Sequence, residues 1–355
     1  MSDAAFVTHP DLVHAMRGGI VESFHRGALA IVDADGALRL ALGDVDRPIF
    51  PRSACKVLQA LPLVASGAAE GYGLSDAELA LACASHRGEP GHVVTAESML
   101  AKAGLSAAAL ECGAHWPYAE DASRALAKAG AEPTALHNNC SGKHSGFVCL
   151  GCWMARAAGR SADEFVRGYI EPAHPVMREV SAALGAATGW DLGKAPMGTD
   201  GCSIPTYAIP LRHLALAFAR VGTGQGLSPD HARAARRLRQ AVAASPWHVS
   251  GTGKFDSELM QRLGKKLFCK VGAEGVYCAA LPDQGLGVAI KMDDGNTARA
   301  AEVVMAAVIE ALLALDEAGQ AALRHCSDAP LRNWNGRLVG RLQASAALRR
   351  ALATV

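Results

Sequence analysis

The sequence predicts an α/β protein in which one antiparallel sheet is assembled from both ends of the chain around a mainly helical insertion. Three observations carry this prediction. Short apolar-rich runs with turn signals fill residues 1–50. Similar runs return after residue 265. Between them, apolar residues recur at helical spacing. Strand, helix, strand order with hairpins near both termini is most simply closed by pairing the two ends. The expected organisation is a single domain over 1–355, with a sheet lobe from 1–52 and 265–355 and a helical lobe from 53–264.

The elements follow in order. Ile20–His25, Ala28–Val32 and Leu38–Leu42 read as strands, the last two joined by the turn Asp33-Ala34-Asp35-Gly36. Ser75-Asp76-Ala77-Glu78 is a capping box opening a helix that ends near Ser85. Pro90-Gly91 opens another through Leu100. Helical patterns continue over Ser145–Ala158, Asp163–Tyr169, Pro175–Leu184, His213–Ala219 and Pro229–Ala244. Strands resume at Lys266–Lys270, Gly275–Ala280 and Gly285–Lys291. Asn296-Thr297 caps a long helix through Leu315, and the remainder reads as a loop with a terminal strand or helix.

Composition narrows the function classes. Half of the 355 residues are hydrophobic, so the chain can bury a large core. A net charge of +1 gives no electrostatic case for nucleic acid or an anionic membrane. Met1–Phe6 lacks the basic and apolar blocks of a signal peptide, so a cytoplasmic location is expected. Glu302 and Glu310 interrupt the apolar stretch Ala301–Leu315, which therefore reads as a core helix. The ten cysteines are scattered and mostly inside apolar runs, as reduced core thiols would be.

The chemistry concentrates in a few segments. Arg52-Ser53-Ala54-Cys55-Lys56 follows Pro51, a residue suited to a helix start. Helical spacing puts Ser53 and Lys56 on one face, where a lysine can act as base to a serine that is otherwise a poor nucleophile. Ser85-His86-Arg87-Gly88-Glu89 has the composition of an active-site loop. His137-Asn138-Asn139-Cys140-Ser141-Gly142-Lys143-His144 offers His137, Cys140 and His144 as metal-ligand types, or else a glycine-permitted turn satisfied by its asparagines. Gly198–Pro205 offers a second thiol, Cys202, among glycines. Lys270-Val271-Gly272 places an amine at a strand end.

A Ser-x-x-Lys on the first core helix, a second serine loop and a late Lys-x-Gly resemble the layout of serine β-lactamases and penicillin-binding proteins. Two features depart from it: Ser-Asp-Asn is missing, and the late element reads Lys-Val-Gly. A fuller resemblance covers nearly the whole chain. Pro51-Arg52-Ser53, Ala84-Ser85-His86, Asn138–His144, Asp200–Pro205 and Lys270–Gly275 resemble the rhizobial-type L-asparaginases, the structural class called asparaginase II.

That resemblance implies a β-lactamase-like fold, a cytoplasmic homodimer and hydrolysis of L-asparagine to L-aspartate and ammonia. It implies two serine–lysine tandems, Ser53 with Lys56 and Ser85 with Lys270. It also implies zinc, one ion per chain, held by Cys140, Lys143 and Cys202. Lys143 would then have to bind without its proton. His137 and His144 stand as the competing ligands. Both tandems carry the same chemistry, and attack by Ser53 with Lys56 as base is the expected route. Arg52, His86, Glu89, Asp200 and Glu274 are the candidates for gripping the substrate α-amino and α-carboxylate groups. The alternatives are a glutaminase or another serine–lysine acyl hydrolase of the same fold, and a non-catalytic amino-acid-binding protein. Substrate profile separates the first from an asparaginase, and ammonia release separates the second.

Overall fold

A computed structural model describes residues 8–355, so the leader reading of Met1–Phe6 lies outside the described residues. The chain forms two compact units. One comprises residues up to Ala54, Ile209–Ala219 and Lys270–Val355; the other comprises Cys55–Ala208 and Arg220–Cys269. The segment Ile209–Ala219, read from sequence as part of the helical lobe, thus belongs to the sheet unit.

The first unit is built on an eight-stranded sheet. Its strands are β1 (Asp11–Arg17), β2 (Ile20–Asp33), β3 (Leu38–Leu42), β4 (Phe268–Val271), β5 (Val276–Leu281), β6 (Leu286–Met292), β7 (Asp328–Arg332) and β8 (Leu338–Ala344). They run in the order β7-β8-β1-β2-β6-β5-β4, with β3 also on β2. N-terminal β2 pairs antiparallel with C-terminal β6, Leu286 opposite Asp33 and Met292 opposite Gly27, and β1 pairs with β8. The sheet is therefore assembled from both termini, as the strand order predicted.

Strands β5 and β6 are buried along most of their length. This explains their nearly continuous apolar content, broken only by Lys291, where a half-exposed strand would alternate. Gly287 of β6 marks one covering contact. A Cβ there would lie 1.9 Å from the Ala215 carbonyl oxygen, so only glycine lets helical backbone press so closely on the sheet. The helix Glu302–Leu312, buried from Val303 to Ile309, contacts β1 and β8. Among the described residues no helix is long and apolar enough to cross a membrane.

Three local readings change. The two strands expected at Ile20–His25 and Ala28–Val32 are one strand of 14 residues. Arg26-Gly27 looks like a break, but Gly27 is there because a Cβ would lie 2.4 Å from the Lys291 carbonyl oxygen on the neighbouring strand. The helix capped by Asn296 opens as a π-turn, Thr297–Ala301, and its α-helical part stops at Leu312. Beyond it come a helix (Glu317–Ser327), the β7–β8 hairpin around Asn333–Gly336, and a final helix (Ala346–Leu352).

The second unit is mainly helical. The Ser75 capping box forms as read: Ser75 Oγ accepts the Glu78 N–H, and a Glu78 carboxylate oxygen accepts the Ser75 N–H. Glu78 also accepts from Lys102 and Ser98, which ties the helix Asp76–Ala82 to the helix Pro90–Lys102. Both pack on the helix Ser141–Ala157, buried at every position from Ser141 to Cys152. That helix begins four residues earlier than its apolar pattern suggests, because the polar Ser141-Gly142-Lys143-His144 turn is already helical.

Candidate active site

The polar segments of the helical unit converge on one buried lysine. Lys56 opens the helix Lys56–Gln59 and is 1 % exposed. Its Nζ donates to Ser85 Oγ at 2.9 Å, to the Ala84 carbonyl at 2.5 Å and to Cys140 Sγ at 3.1 Å. A buried ammonium is tolerated only with such partners. Ser85 follows the end of the helix Asp76–Ala82, and its backbone N–H is anchored on the Val249 carbonyl at 2.9 Å. The next N–H, that of His86, goes to the Asn139 carbonyl. Both amides at this corner are therefore committed, and an oxyanion formed on Ser85 must draw on other donors.

Asn138 fixes the start of the helix carrying Cys140. Its side-chain amide donates to the Cys112 and Gly113 carbonyls, and its oxygen accepts the Cys140 N–H at 2.8 Å. Cys140 and Lys143 are three residues apart at the helix start and so share a face. Gly142, between them, faces the preceding helix: a Cβ would lie 2.4 Å from both the Leu81 side chain and the Leu81 carbonyl oxygen. Lys143 Nζ donates to Cys202 Sγ at 2.9 Å. Cys202 sits on a tight loop between the paired segments Met197–Thr199 and Pro205–Tyr207. The loop closes by backbone bonds between Asp200 and residues 203 and 204, with Ser203 in the left-handed region at φ 75°.

The two sulfurs act on each other's protonation in opposite directions. The Cys202 contact, reinforced by the Lys56 and Lys143 charges, holds Cys140 well below the ordinary thiol range against the cost of burial. The same contact, together with burial, pushes Cys202 up. Cys140 is thus the thiolate. Burial alone would lower the Lys143 pKa, but the Cys140 and Cys202 sulfurs and Asp200 outweigh it and hold the ammonium above its ordinary value. Cys55, by contrast, is a core thiol that burial pushes up to about 12.

His86 is committed within this unit. Its Nδ1 accepts the Gly88 N–H, so Nε2 carries the proton and donates to Ser141 Oγ at 2.9 Å. It stacks on His92, which stacks on Trp247 at 4.0 Å between ring centres. Burial and the neighbouring His92 and Lys56 charges keep His86 neutral, well below the usual histidine range. Glu89 is tied to Thr252, accepting from its N–H and its hydroxyl. Sequence reasoning missed Ser141, Asn138 and Trp247 as supports; all but Trp247 lie inside the segment it singled out.

The competing histidine ligands are engaged elsewhere. His144 Nδ1 is hydrogen-bonded with the Tyr169 hydroxyl at 2.6 Å, and His137 Nδ1 accepts from the Thr134 N–H. Among the described residues no three His, Cys, Asp or Glu side chains form a group that could hold a metal. The Cys140–Cys202–Lys143 cluster is a different donor set, two sulfurs and an amine. Its soft sulfurs fit zinc once Lys143 gives up its proton.

The helical unit thus brings together Lys56, Ser85, Cys140, Lys143 and Cys202. Ser53, Arg52, Lys270 and Glu274 belong to the sheet unit. There Ser53 lies on a single turn, Arg52–Cys55, and Lys270 is fully buried on β4, its Nζ donating to the Val271 carbonyl. Arg52 (φ 50°) and Glu274 (φ 55°), with Ser203, are the non-glycine residues held in the left-handed region among those described. Such strain costs of order 1–3 kcal/mol per residue and concentrates at functional positions. All three lie in segments the sequence marked.

Comparison with solved structures finds matches at low similarity. Mglu in its native form in the presence of 4.3 M NaCl is 17% identical with a TM-score of 0.34, over 85% of this chain and 60% of the other. The chain therefore spans about 60% of the length of that protein. A β-lactamase from Mycobacterium bovis is 14% identical with a TM-score of 0.36, over 84% of this chain and 93% of the other. No curated protein matches the chain. Residues 13–344 match the family described as L-asparaginase II, and the chain belongs to that family.

Proposed function

We propose that the protein is an L-asparaginase that hydrolyses the side-chain amide of L-asparagine to L-aspartate and ammonia by acyl transfer to a serine. The observation that carries this reading is the 2.9 Å contact between Lys56 Nζ and Ser85 Oγ inside a buried cluster. Once the Lys56 ammonium has given up a proton to solvent, Ser85 Oγ attacks the carboxamide carbon and its own proton passes to Nζ. The resulting ammonium returns that proton to the amide nitrogen as the C–N bond breaks and ammonia leaves. Water then attacks the acyl ester, giving one proton to Lys56 Nζ. Lys56 hands it to Ser85 Oγ as aspartate departs, and the enzyme is restored.

Ser53 and Lys270 enter through the resemblance in sequence, as the other members of two serine–lysine pairs. The geometry within the helical unit favours Ser85, and not Ser53, as the serine served by Lys56. Cys140, Lys143 and Cys202 would hold zinc, which when bound supplies positive charge that orients an oxygen of substrate or water. The thiolate on Cys140 supports this assignment. A homodimer in the cytoplasm belongs to the same reading, and sedimentation of the purified protein tests the dimer.

The deciding experiment measures ammonia release from L-asparagine and, in parallel, L-glutamine. The two substrates differ by one methylene, a difference worth about 1–3 kcal/mol in a pocket. Turnover of asparagine in preference to glutamine supports the proposal. Preference for glutamine would make the chain a glutaminase, and no ammonia from either amide would overturn the amidohydrolase assignment for these substrates.

A further inference from the structure

Lys56 links two segments that are far apart in sequence. Its amine donates to the Ala84 carbonyl and Ser85 Oγ on one, and to Cys140 Sγ on the other. A flexible four-carbon stem can follow either segment, so the amine alone does not fix the distance between them. A second residue ties the same two segments directly. His86 follows Ser85 and is fully buried. Its backbone N–H donates to the Asn139 carbonyl at 3.2 Å, and its Nε2 lies 2.9 Å from Ser141 Oγ.

The tautomer of His86 is set locally. Nδ1 accepts the Gly88 N–H at 3.1 Å, so the ring proton sits on Nε2 and is donated to Ser141. The two bonds from His86 end on the residues immediately before and after Cys140. They hold the Ser85 corner against the start of the helix Ser141–Ala157, and Lys56 spans the same gap. His92 packs on the ring at 4.8 Å between centres and is itself stacked on Trp247. Both ring nitrogens are engaged within the protein, which leaves His86 no atom for gripping substrate.

We propose that His86 is a positioning residue for the reaction: its Nε2–H bond to Ser141 keeps the Ser85 hydroxyl within proton-transfer reach of Lys56. This rests on the reading that Ser85 is the nucleophile served by Lys56. The contact between them is 2.9 Å, and a shift of about 1 Å takes a hydroxyl out of hydrogen-bond reach. Misplacement on that scale costs up to about a hundredfold in rate.

Two amide variants separate the ring's two bonds. In His86→Gln the amide nitrogen falls near the Nε2 position and keeps the donor to Ser141. In His86→Asn the shorter side chain puts an amide oxygen near Nδ1, which keeps the bond to Gly88 and loses the one to Ser141. Both remove the ring from the stack, so the difference between them reads the Ser141 bond. Ser141→Ala reads the same bond from its other end and leaves the stack in place.

The test measures kcat and KM for asparagine. It also follows the rate at which a fluorophosphonate probe labels Ser85, where the serine oxygen displaces fluoride and passes its proton to Lys56. Peptide mass spectrometry locates the label. His86→Asn and Ser141→Ala should each lower kcat and the labelling rate by about tenfold or more, with KM near the wild-type value. His86→Gln should stay within a few-fold of wild type. The double variant His86→Asn/Ser141→Ala should lose no more than either single one, because all three remove one bond. Equal losses in His86→Gln and His86→Asn, or additive losses in the double variant, would overturn the proposal and leave His86 a packing residue. Loss of activity in Ser85→Ala beside an unimpaired His86→Asn would overturn it while the Ser85 reading stands. A wild-type protein labelled at another serine or at none would overturn the Ser85 reading, and this proposal with it.

Discussion

Lys56 and Ser85 are 29 residues apart in sequence, yet the lysine amine donates to the serine hydroxyl at 2.9 Å. The serine that helical spacing offered to Lys56 was Ser53, three residues before it. A long side chain at the start of a buried helix can reach across packed elements. Here it reaches the corner after the helix Asp76–Ala82 and the sulfur of Cys140. One amine thus serves a hydroxyl and a thiolate together.

Ser85→Ala should leave the fold intact and cut ammonia release from asparagine by at least about a hundredfold, the usual scale for removing an activated nucleophile or its proton relay. Ser53→Ala, assayed beside it, distinguishes the two tandems. Full activity in Ser85→Ala with loss in Ser53→Ala would return the nucleophile to the position that the spacing first suggested.

The sulfur cluster makes a separate prediction about metal. Purified protein should carry about one zinc per chain, and Cys140→Ser and Lys143→Met should each lower that content sharply in elemental analysis. Zinc binding must also release protons, because Cys202 is held as a thiol and Lys143 as an ammonium until the metal arrives. Calorimetry in two buffers of different ionisation enthalpy measures that release. Equal heats in both buffers would refute this protonation scheme.

Close packing sets a third expectation. Gly142→Ala adds a methyl where the Leu81 carbonyl oxygen and side chain stand 2.4 Å away. Overpacking of this kind costs about 1–3 kcal/mol, and it would shift the helix start that carries Cys140 and Lys143. The variant should melt at a lower temperature and lose activity more than stability. An unchanged melting temperature would mean that the two helices separate freely.

Much of this was legible from the residues. The two-ended sheet followed from where the apolar runs fall, since hairpin turn signals and β-rich runs are local. The capping box at Ser75 and the weight of Asn138–His144 were equally plain. The partner of Lys56 was not, because pairing over 29 positions depends on how the helices pack. The left-handed backbone at Arg52, Ser203 and Glu274 was also hidden, since none of the three is a glycine. His86 and Glu89 looked like free substrate-gripping groups. Folding spends their polar atoms on Ser141, Gly88 and Thr252.

The buried histidine stack predicts acid sensitivity. His92 lies between His86 and Trp247, fully buried, and burial lowers its pKa from the ordinary 6.5 to about 4. As pH falls below 6.5 the unfolded chain takes up a proton there and the folded chain does not. Stability is therefore lost progressively from about pH 6.5 down to about pH 4, where the folded state also protonates. The loss from this one group is on the order of 3 kcal/mol, and His86 acts in the same direction. His92→Phe keeps an aromatic ring against Trp247 and removes the titration. Urea unfolding across this range should show a slope of stability against pH shallower by about one proton in the variant. Identical slopes in the two proteins would mean that His92 is already exposed to protonation in the folded state.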